Sequence, residues 1–145
     1  MPHVSVHLVI SAPMAETWSA VKDIEAYPRF MENVRSVEVV SDSDGTRVSK
    51  WSTLLKGSIL EWTEAETMDD AAGRIEFHQL DGDLDVFAGY WQVTPDPGGV
   101  LVELSVDFEI GIPLLADMLN PVAARALKQN SESMLREIEL ILAAG

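Results

Sequence analysis

Between residues 34 and 108 the chain alternates short strand-like segments with turn signals, and this rhythm limits the possible folds more than any other feature. Glycine, aspartate and proline mark these turns because they tolerate the backbone angles of a tight reversal. The turn signals are SDSDG at 41–45, Lys56-Gly57, MDDAAG at 68–73, DGD at 81–83 and PDPGG at 95–99. Six short strands in series predict an antiparallel meander.

A strand and a helical segment precede the meander, and a long helix follows it. Apolar residues at every second position of 4–10 predict the first strand. The segment 11–30 predicts one or two short helices, because Pro13 suits a first helical turn and Pro28 ends the helix or opens a second turn. Beyond residue 115, apolar residues recur at helical spacing and predict a long C-terminal helix, with an early kink expected at Pro121.

The predicted fold is α+β, with a seven-stranded antiparallel sheet curved around the long C-terminal helix. A single helix cannot fill the inner face of such a sheet, so a cavity is expected between them. A scaffold of this kind would hold an apolar ligand.

Composition limits the classes of function. With 145 residues the chain is expected to form one domain spanning 1–145. Ten basic against 24 acidic residues give a formal net charge of −14, which disfavours nucleic acid and anionic membranes as partners. No apolar run approaches the length of a membrane span, so stable membrane insertion is not expected. Cysteine is absent, which excludes thiolate chemistry, and the N-terminal segment lacks signal-peptide features, so a cytoplasmic location is expected.

The segment GSILEWTEAET at 57–67 poses the main question about the site. In a strand, Leu60, Trp62, Glu64 and Glu66 share one side, so either two large apolar side chains are exposed or two carboxyls point inward. Carboxyls about 7 Å apart beside an apolar cavity would raise at least one pKa and form an acid and base pair. The alternative is that the strand end is solvated. We expect this for Glu66, whereas both readings stay open for Glu64.

Metal and cofactor sites are not indicated. His3 and His7 lie four residues apart on a predicted strand, too far to share one metal ion. The segment LDGDLD at 80–85 is typical of a hairpin turn and lacks the later glutamate of a calcium loop. We therefore expect no metal and no organic cofactor.

Several motifs resemble a known superfamily. They are APMAETWSAVKDIEAYPRF (12–30), GSILEWTEAE (57–66), RIEFHQLDGDL (74–84), GYW (89–91) and VDFEIGIPLLADMLNP (106–121). With the element order, they resemble the helix-grip superfamily, which includes START domains, the birch-pollen allergen and the polyketide cyclase/dehydrase and lipid-transport proteins. The resemblance covers nearly the whole chain. It implies the fold well and the activity poorly, because this superfamily contains enzymes, carriers and receptors.

Two branches of the superfamily are similar to different parts of the chain. DIEAYPRF and LEW resemble bacterial aromatase/cyclases, which are implied to fold and dehydrate a poly-β-ketone in the cavity. GYW, DFE and PLLADMLNP resemble coenzyme Q-binding START-like proteins, which are implied to bind a quinone or lipid without chemistry. The chain departs from the cyclases at Glu66 and Val34, where they are expected to carry an arginine and a tyrosine, so a mechanism that needs those two groups is not inherited.

The resemblance implies that the strand side of Leu60, Trp62, Glu64 and Glu66 faces the cavity, with Glu66 at its rim. As an enzyme, the protein would use Glu64 as catalytic base, with Gln79 or Asn130 donating hydrogen bonds to a developing enolate. The residues expected to bind the ligand are Tyr27, Leu60, Trp62, Glu66, Phe77, Gln79, Trp91, Leu115, Leu119, Asn130 and Met134. For each aromatic residue the alternative is core packing, and for Asn130 it is a structural hydrogen bond.

The sequence therefore supports two functions. The first is a cofactor-independent polyketide cyclase or dehydratase that acts on a small hydrophobic, polyketide-like or aromatic molecule. The second is a non-catalytic carrier of a quinone or lipid. An acyl carrier protein is a candidate partner, and both a monomer and a homodimer are compatible with the sequence.

Overall fold

Seven strands form one antiparallel sheet, and a long helix follows the last of them. The computed structural model describes the backbone of residues 2–110 and 113–144, and the side chains of 2–110 and 121–144. The strands are β1 (His3–Ile10), β2 (Val34–Ser43), β3 (Thr46–Leu55), β4 (Ser58–Asp69), β5 (Arg74–Gly82), β6 (Val86–Asp96) and β7 (Gly99–Glu109). The helices are α1 (Met14–Lys22), α2 (Tyr27–Phe30) and α3 (Pro113–Ala144), with a single 3-10 turn at Ile24–Ala26.

The sheet confirms the predicted meander. Its strand order is β1-β7-β6-β5-β4-β3-β2, so each strand from β2 to β7 lies beside its neighbour in sequence. The first strand joins the far end, where His3 is opposite Asp107 and Ile10 is opposite Val100. The two short helices connect the two edges of the sheet. The predicted seven-stranded sheet with a long C-terminal helix is thus confirmed.

One face of the sheet is apolar and packs against the helices. Alternate residues of β1 and β7 are buried on this inner face, as the period of two requires. From the described part of α3, Leu135 and Ile138 are almost completely buried in the same core. The inner face thus holds the core where α3 covers it.

A glycine allows β6 to pass unusually close to β7. A Cβ atom at Gly89 would lie 1.9 Å from the backbone oxygen of Ser105, a distance that no side chain can occupy. Glycine in a strand interior is typical of bends and close backbone approaches. Trp91, which is buried in the core, lies two residues further along the same strand.

Candidate functional site

A cavity of about 70 Å³ lies between the inner face of the sheet and α3. Strands β2 to β7 and the described part of α3 all contribute to its wall. The side chains around it are mostly aromatic or aliphatic, with a few polar groups among them. They belong to Asn33, Val34, Trp51, Thr53, Trp62, Glu64, Phe77, Phe87, Trp91, Leu104, Val106, Leu127, Asn130, Ser131 and Met134.

Aromatic rings form a continuous wall on one side of the cavity. Trp51 on β3 is opposite Trp62 on β4, and their rings stack with centroids 5.7 Å apart and planes 6° apart. Phe87 packs at 4.8 Å from Trp62, and Phe77 lies 5.7 Å from Phe87. Such a wall presents flat, weakly polarised surfaces on which a planar ligand can stack.

Glu64 is the only ionisable side chain of the described residues that lines this cavity. Its side chain is 4% exposed, and the indole N–H of Trp62 donates a hydrogen bond of 2.7 Å to its Oε1 atom. Burial raises the pKa of Glu64 well above its ordinary value, and hydrogen bonding and charge repulsion from Glu66 raise it further. Burial and Glu66 therefore both favour the uncharged carboxylic acid form of Glu64.

Glu66 lies deeper than Glu64 and does not line the cavity. Arg47 Nε donates a hydrogen bond of 2.5 Å to Glu66 Oε1, and the Ser49 hydroxyl donates one of 3.1 Å to Oε2. Both members of this ion pair are buried, with side chains 7% and 3% exposed for Arg47 and Glu66. The expectation that Glu66 is solvated at the rim is therefore wrong, because Arg47 satisfies its charge inside the protein.

The inner faces of β3 and β4 form a graded ladder. From the α1 end outwards, the facing pairs are Arg47 with Glu66, Ser49 with Glu64, Trp51 with Trp62 and Thr53 with Leu60. Each step outwards is less polar, apart from the last threonine. The sequence predicted the reverse order, with apolar residues deep and carboxyls at the mouth. The order is reversed because the segment from α1 to α2 covers the C-terminal end of β4, whereas Leu60 lies near the uncovered N-terminal end of this strand.

Three residues that were expected to face the cavity lie elsewhere. Tyr27 is completely buried outside the lining, where its hydroxyl donates a hydrogen bond to the Val21 backbone oxygen and its ring packs against Trp51 and Trp91. The Gln79 amide donates to the backbone oxygen of Leu84. Leu60 lines a separate outer cleft. By contrast, the cavity lining includes Trp62, Glu64, Phe77, Trp91, Asn130 and Met134. Leu115 and Leu119 lie outside the residues whose side chains are described.

Asn130 links α3 to the sheet. Its Nδ2 donates a hydrogen bond of 2.7 Å to the backbone oxygen of Leu54, and its Oδ1 accepts one of 3.1 Å from the Asn33 amide. Both ends of the Asn130 amide are therefore occupied by the protein, although the residue lines the cavity. This is the structural alternative that the sequence left open for Asn130.

The outer cleft has a volume of about 600 Å³. Leu127 of α3 lines both the inner cavity and the outer cleft, so the two spaces are neighbours. The described residues around the cleft are mainly aliphatic: Leu55, Lys56, Ser58, Ile59, Leu60, Asp83, Leu84, Phe108, Ile110, Val122, Ala123, Ala126 and Leu127. The site thus consists of a small inner cavity with one acid and a larger apolar cleft outside it.

Sequence reasoning missed Trp51 and Arg47. Neither was among the residues expected to bind the ligand or to act in catalysis. A signal for both was present, because Arg47, Ser49, Trp51 and Thr53 alternate along β3 in the mirror image of the order on β4. An arginine on a predicted inward-facing position opposite a glutamate indicates a buried ion pair.

A serine, a histidine and an aspartate also meet on the outer face of the sheet. His3 Nδ1 lies 2.6 Å from Asp107 Oδ1, and His3 Nε2 lies 3.1 Å from the Ser105 hydroxyl. This order is that of a hydrolase triad, but Ser105 is 4% exposed and lines none of the cavities described above. A nucleophile needs access to its substrate, so we assign no chemistry to this group.

Two further features of the described residues bear on the site. No helix among them is long and apolar enough to cross a membrane. In the same part of the chain, no group of three or more histidine, aspartate or glutamate side chains is placed to hold a metal ion.

The raised pKa of Glu64 makes a prediction about stability. A carboxyl whose pKa is higher in the folded than in the unfolded protein stabilises the fold fully at pH values below its unfolded-state pKa of about 4.3. This stabilisation is lost as the pH rises through the folded-state pKa. Glu64→Gln removes that loss and keeps an oxygen for the Trp62 N–H. We expect the free energy of unfolding of the variant to increase relative to that of the natural protein as the pH rises from 4 to 8. The increase should be about 1.4 kcal/mol for each pH unit by which the fold raises the pKa of Glu64. Urea unfolding at several pH values measures this, and a constant difference would contradict it.

The fold and the cavity define a helix-grip protein with a buried acid on an aromatic wall. Over residues 10–135 the sequence matches the model of the polyketide cyclase / dehydrase and lipid transport family, and the chain belongs to this family.

Known proteins resemble the chain to different degrees. A Streptomyces halstedii protein with the provisional name polyketide cyclase is 26% identical over 104 residues, which are 69% of this chain and 94% of that protein. The crystal structure of TTHA0849 from Thermus thermophilus superposes with a TM-score of 0.92 at 29% identity, covering 99% of this chain and 98% of that one. The ZhuI aromatase/cyclase from Streptomyces sp. R1128 is 19% identical with a TM-score of 0.84, covering 97% and 93% of the two chains, and shows the shared fold.

Proposed function

We propose that the protein is a cofactor-independent polyketide cyclase or dehydratase in which Glu64 is the catalytic general acid. One observation carries this proposal: a buried carboxyl, whose raised pKa favours its protonated form, lies on the aromatic wall of a cavity. Acid catalysis needs a group that holds its proton until the reaction requires it. The sequence suggested Glu64 as a base, but its raised pKa favours the acid as the resting form.

The same carboxyl can serve both steps of the reaction. In ring closure, Glu64 gives its proton to a ligand carbonyl oxygen while an enol carbon bonds to the carbonyl carbon, and the enol proton returns to Glu64. In dehydration, Glu64 protonates the new hydroxyl, the C–O bond breaks, and the adjacent C–H proton returns to Glu64. One water is released, and Glu64 ends as the acid. Because Trp62 donates to Oε1, Oε2 is the atom suited to carry the proton.

The sizes of the two spaces support an elongated ligand. The inner cavity of about 70 Å³ is smaller than a cavity of roughly 150 Å³ that binds benzene. The outer cleft of about 600 Å³ falls within the roughly 300–1,000 Å³ range of ligand sites. We infer that one carbonyl-bearing end would enter past Leu127 as the wall adjusts, while the remainder occupies the cleft.

A carrier function is the second candidate, and the hydrogen bonds of the site favour it. The Asn130 and Gln79 amides, expected to stabilise an enolate, already donate to backbone oxygens of Leu54 and Leu84. The inner cavity then offers a ligand few free donors besides Glu64. A quinone or lipid would need little more than the apolar walls.

Glu64→Gln distinguishes the two functions. We expect the variant to bind 2-acetylnaphthalene, a neutral aromatic ketone, within about threefold of the natural affinity, because glutamine retains a hydrogen-bond donor. With a poly-β-ketone chain made in situ by a minimal polyketide synthase, cyclised product should fall by about 10²-fold or more. Calorimetry measures binding and mass spectrometry measures product.

The natural protein and Asn33→Ala are the controls in this experiment. Asn33 also lines the cavity but has no proton to transfer, so its variant should keep most of the product formation. Full product formation by Glu64→Gln would overturn the catalytic role. Absence of cyclisation by the natural protein, with a quinone or lipid co-purifying, would favour the carrier.

A further inference from the structure

Glu64 and Glu66 are two residues apart on one face of β4, but they have different hydrogen-bond partners. Glu66 receives two hydrogen bonds, one from the Arg47 guanidinium and one from the Ser49 hydroxyl. Glu64 receives one, from the neutral indole of Trp62. The cation is therefore on the carboxyl that does not face the cavity.

The end of α1 holds the Arg47 side chain in this position. Its Nη1 donates a hydrogen bond of 2.8 Å to the backbone oxygen of Lys22, the last residue of that helix. The carbonyl end of a helix favours a positive charge. The Arg47 side chain is only 7% exposed, and these two contacts hold it at Glu66 and at the helix end.

The other described groups around Glu64 carry no charge. Tyr27 of α2 is a neutral phenol, since burial raises its pKa far above the ordinary value. On β5, Gln79 pairs with Glu64 and Phe77 with Glu66. The described part of α3 presents Asn130 and Ser131 to the cavity. Arg47 and Glu66 are thus the charged groups that act on Glu64 from the elements packed against it.

We propose that Arg47 and Glu66 are positioning residues that keep the proton on Glu64: Arg47 holds Glu66 as a carboxylate, and this fixed negative charge prevents Glu64 from ionising. The inference rests on the proposed function for its consequence. A site whose inner end carries a neutral acid in front of a buried carboxylate accepts a neutral carbonyl oxygen and rejects a carboxylate. The ligand is accordingly a ketone, aldehyde, ester or thioester rather than a free acid.

Difference infrared spectroscopy of the ligand-free protein tests the proposal. The carbonyl stretch of a protonated buried carboxyl is followed against pH, and the band missing from Glu64→Gln is assigned to Glu64. We expect Glu66→Gln to lower the midpoint of this band by about one pH unit or more, because the repelling charge is removed and Arg47 remains. Glu66→Asp, which keeps the charge, should stay closer to the natural midpoint.

A midpoint that is unchanged in Glu66→Gln would overturn the proposal. If that variant does not fold, Ser49→Ala removes one hydrogen bond from the Glu66 carboxylate and leaves its charge. The midpoint should then rise, because the Glu66 carboxylate loses a hydrogen bond that partly offsets its charge and so repels a charge on Glu64 more strongly, and an unchanged midpoint overturns the proposal equally. Since no ligand or turnover is involved, these results are independent of whether the protein is a cyclase.

A binding comparison tests the ligand class. The natural protein should bind 2-acetylnaphthalene at least about tenfold more tightly than 2-naphthoate at pH 7.5, since the two differ mainly in charge at the same position. In Glu66→Gln this preference should shrink. Equal affinity of the natural protein for both probes would overturn the assignment of ligand class.

Discussion

Arg47→Met is expected to lower the free energy of unfolding by about 3–5 kcal/mol, because it leaves a buried carboxylate without its cation. The Glu66 side chain is 3% exposed, so water cannot replace the guanidinium. The Lys22 backbone oxygen at the end of α1 also loses its donor. Urea denaturation at pH 7 measures the change in midpoint, and an unchanged slope would show that the unfolded state is the same.

Two matched variants control this experiment. Asp70→Ala breaks the exposed pair between Lys22 and Asp70 and the hydrogen bond from the Trp18 indole, and it should cost much less because water can replace the Asp70 carboxylate. The double variant Arg47→Met with Glu66→Leu replaces both charges by apolar groups and should recover much of the loss. A cost for Arg47→Met no larger than that for Asp70→Ala would contradict the buried ion pair.

Trp51→Ala should lower stability by about 3–5 kcal/mol and weaken ligand binding as well. The Trp51 ring lines the cavity, stacks on Trp62 and packs edge-on against Tyr27. Its indole N–H also donates to the Ser49 hydroxyl, one of the two groups that hold Glu66. We expect the affinity for 2-acetylnaphthalene to fall at least about tenfold, measured by calorimetry where the variant is folded.

Trp18→Ala is the matched control, since Trp18 is also a buried tryptophan with a hydrogen-bonded indole but lies outside the cavity lining. It should lose comparable stability and keep the natural affinity. Trp51→Phe retains an aromatic wall and should restore most of the binding. Equal loss of affinity in Trp18→Ala would show that binding depends on overall stability and not on the Trp51 ring.

The sequence predicted the fold well because the fold depends on local signals. Turn residues at 41–45, 56–57, 68–73, 81–83 and 95–99 all fall at or beside the strand ends. Each hairpin pairs neighbours in sequence, so each turn limits the register of its own pair. The final helix likewise follows from a repeated apolar spacing.

The site could be predicted only in part, because depth is a tertiary property. Alternation correctly grouped Glu64 and Glu66 on one side of β4, but it could not say which end of the strand is covered. That depends on α1, whose last carbonyl accepts a hydrogen bond from Arg47 on β3, a residue far from α1 in sequence. The same limit applies to Gln79, whose side chain faces inward yet is engaged by the Leu84 backbone.

The pairing of β1 with β7 also determines when the sheet can be completed during synthesis. His3 lies opposite Asp107, so this edge of the sheet cannot form until the ribosome has delivered almost three quarters of the sequence. The cavity wall includes Val106 from the same late strand and Met134 from α3. A nascent chain that stops short of Met134 therefore lacks part of the cavity wall, and the complete lining exists only after this part of α3 has been made.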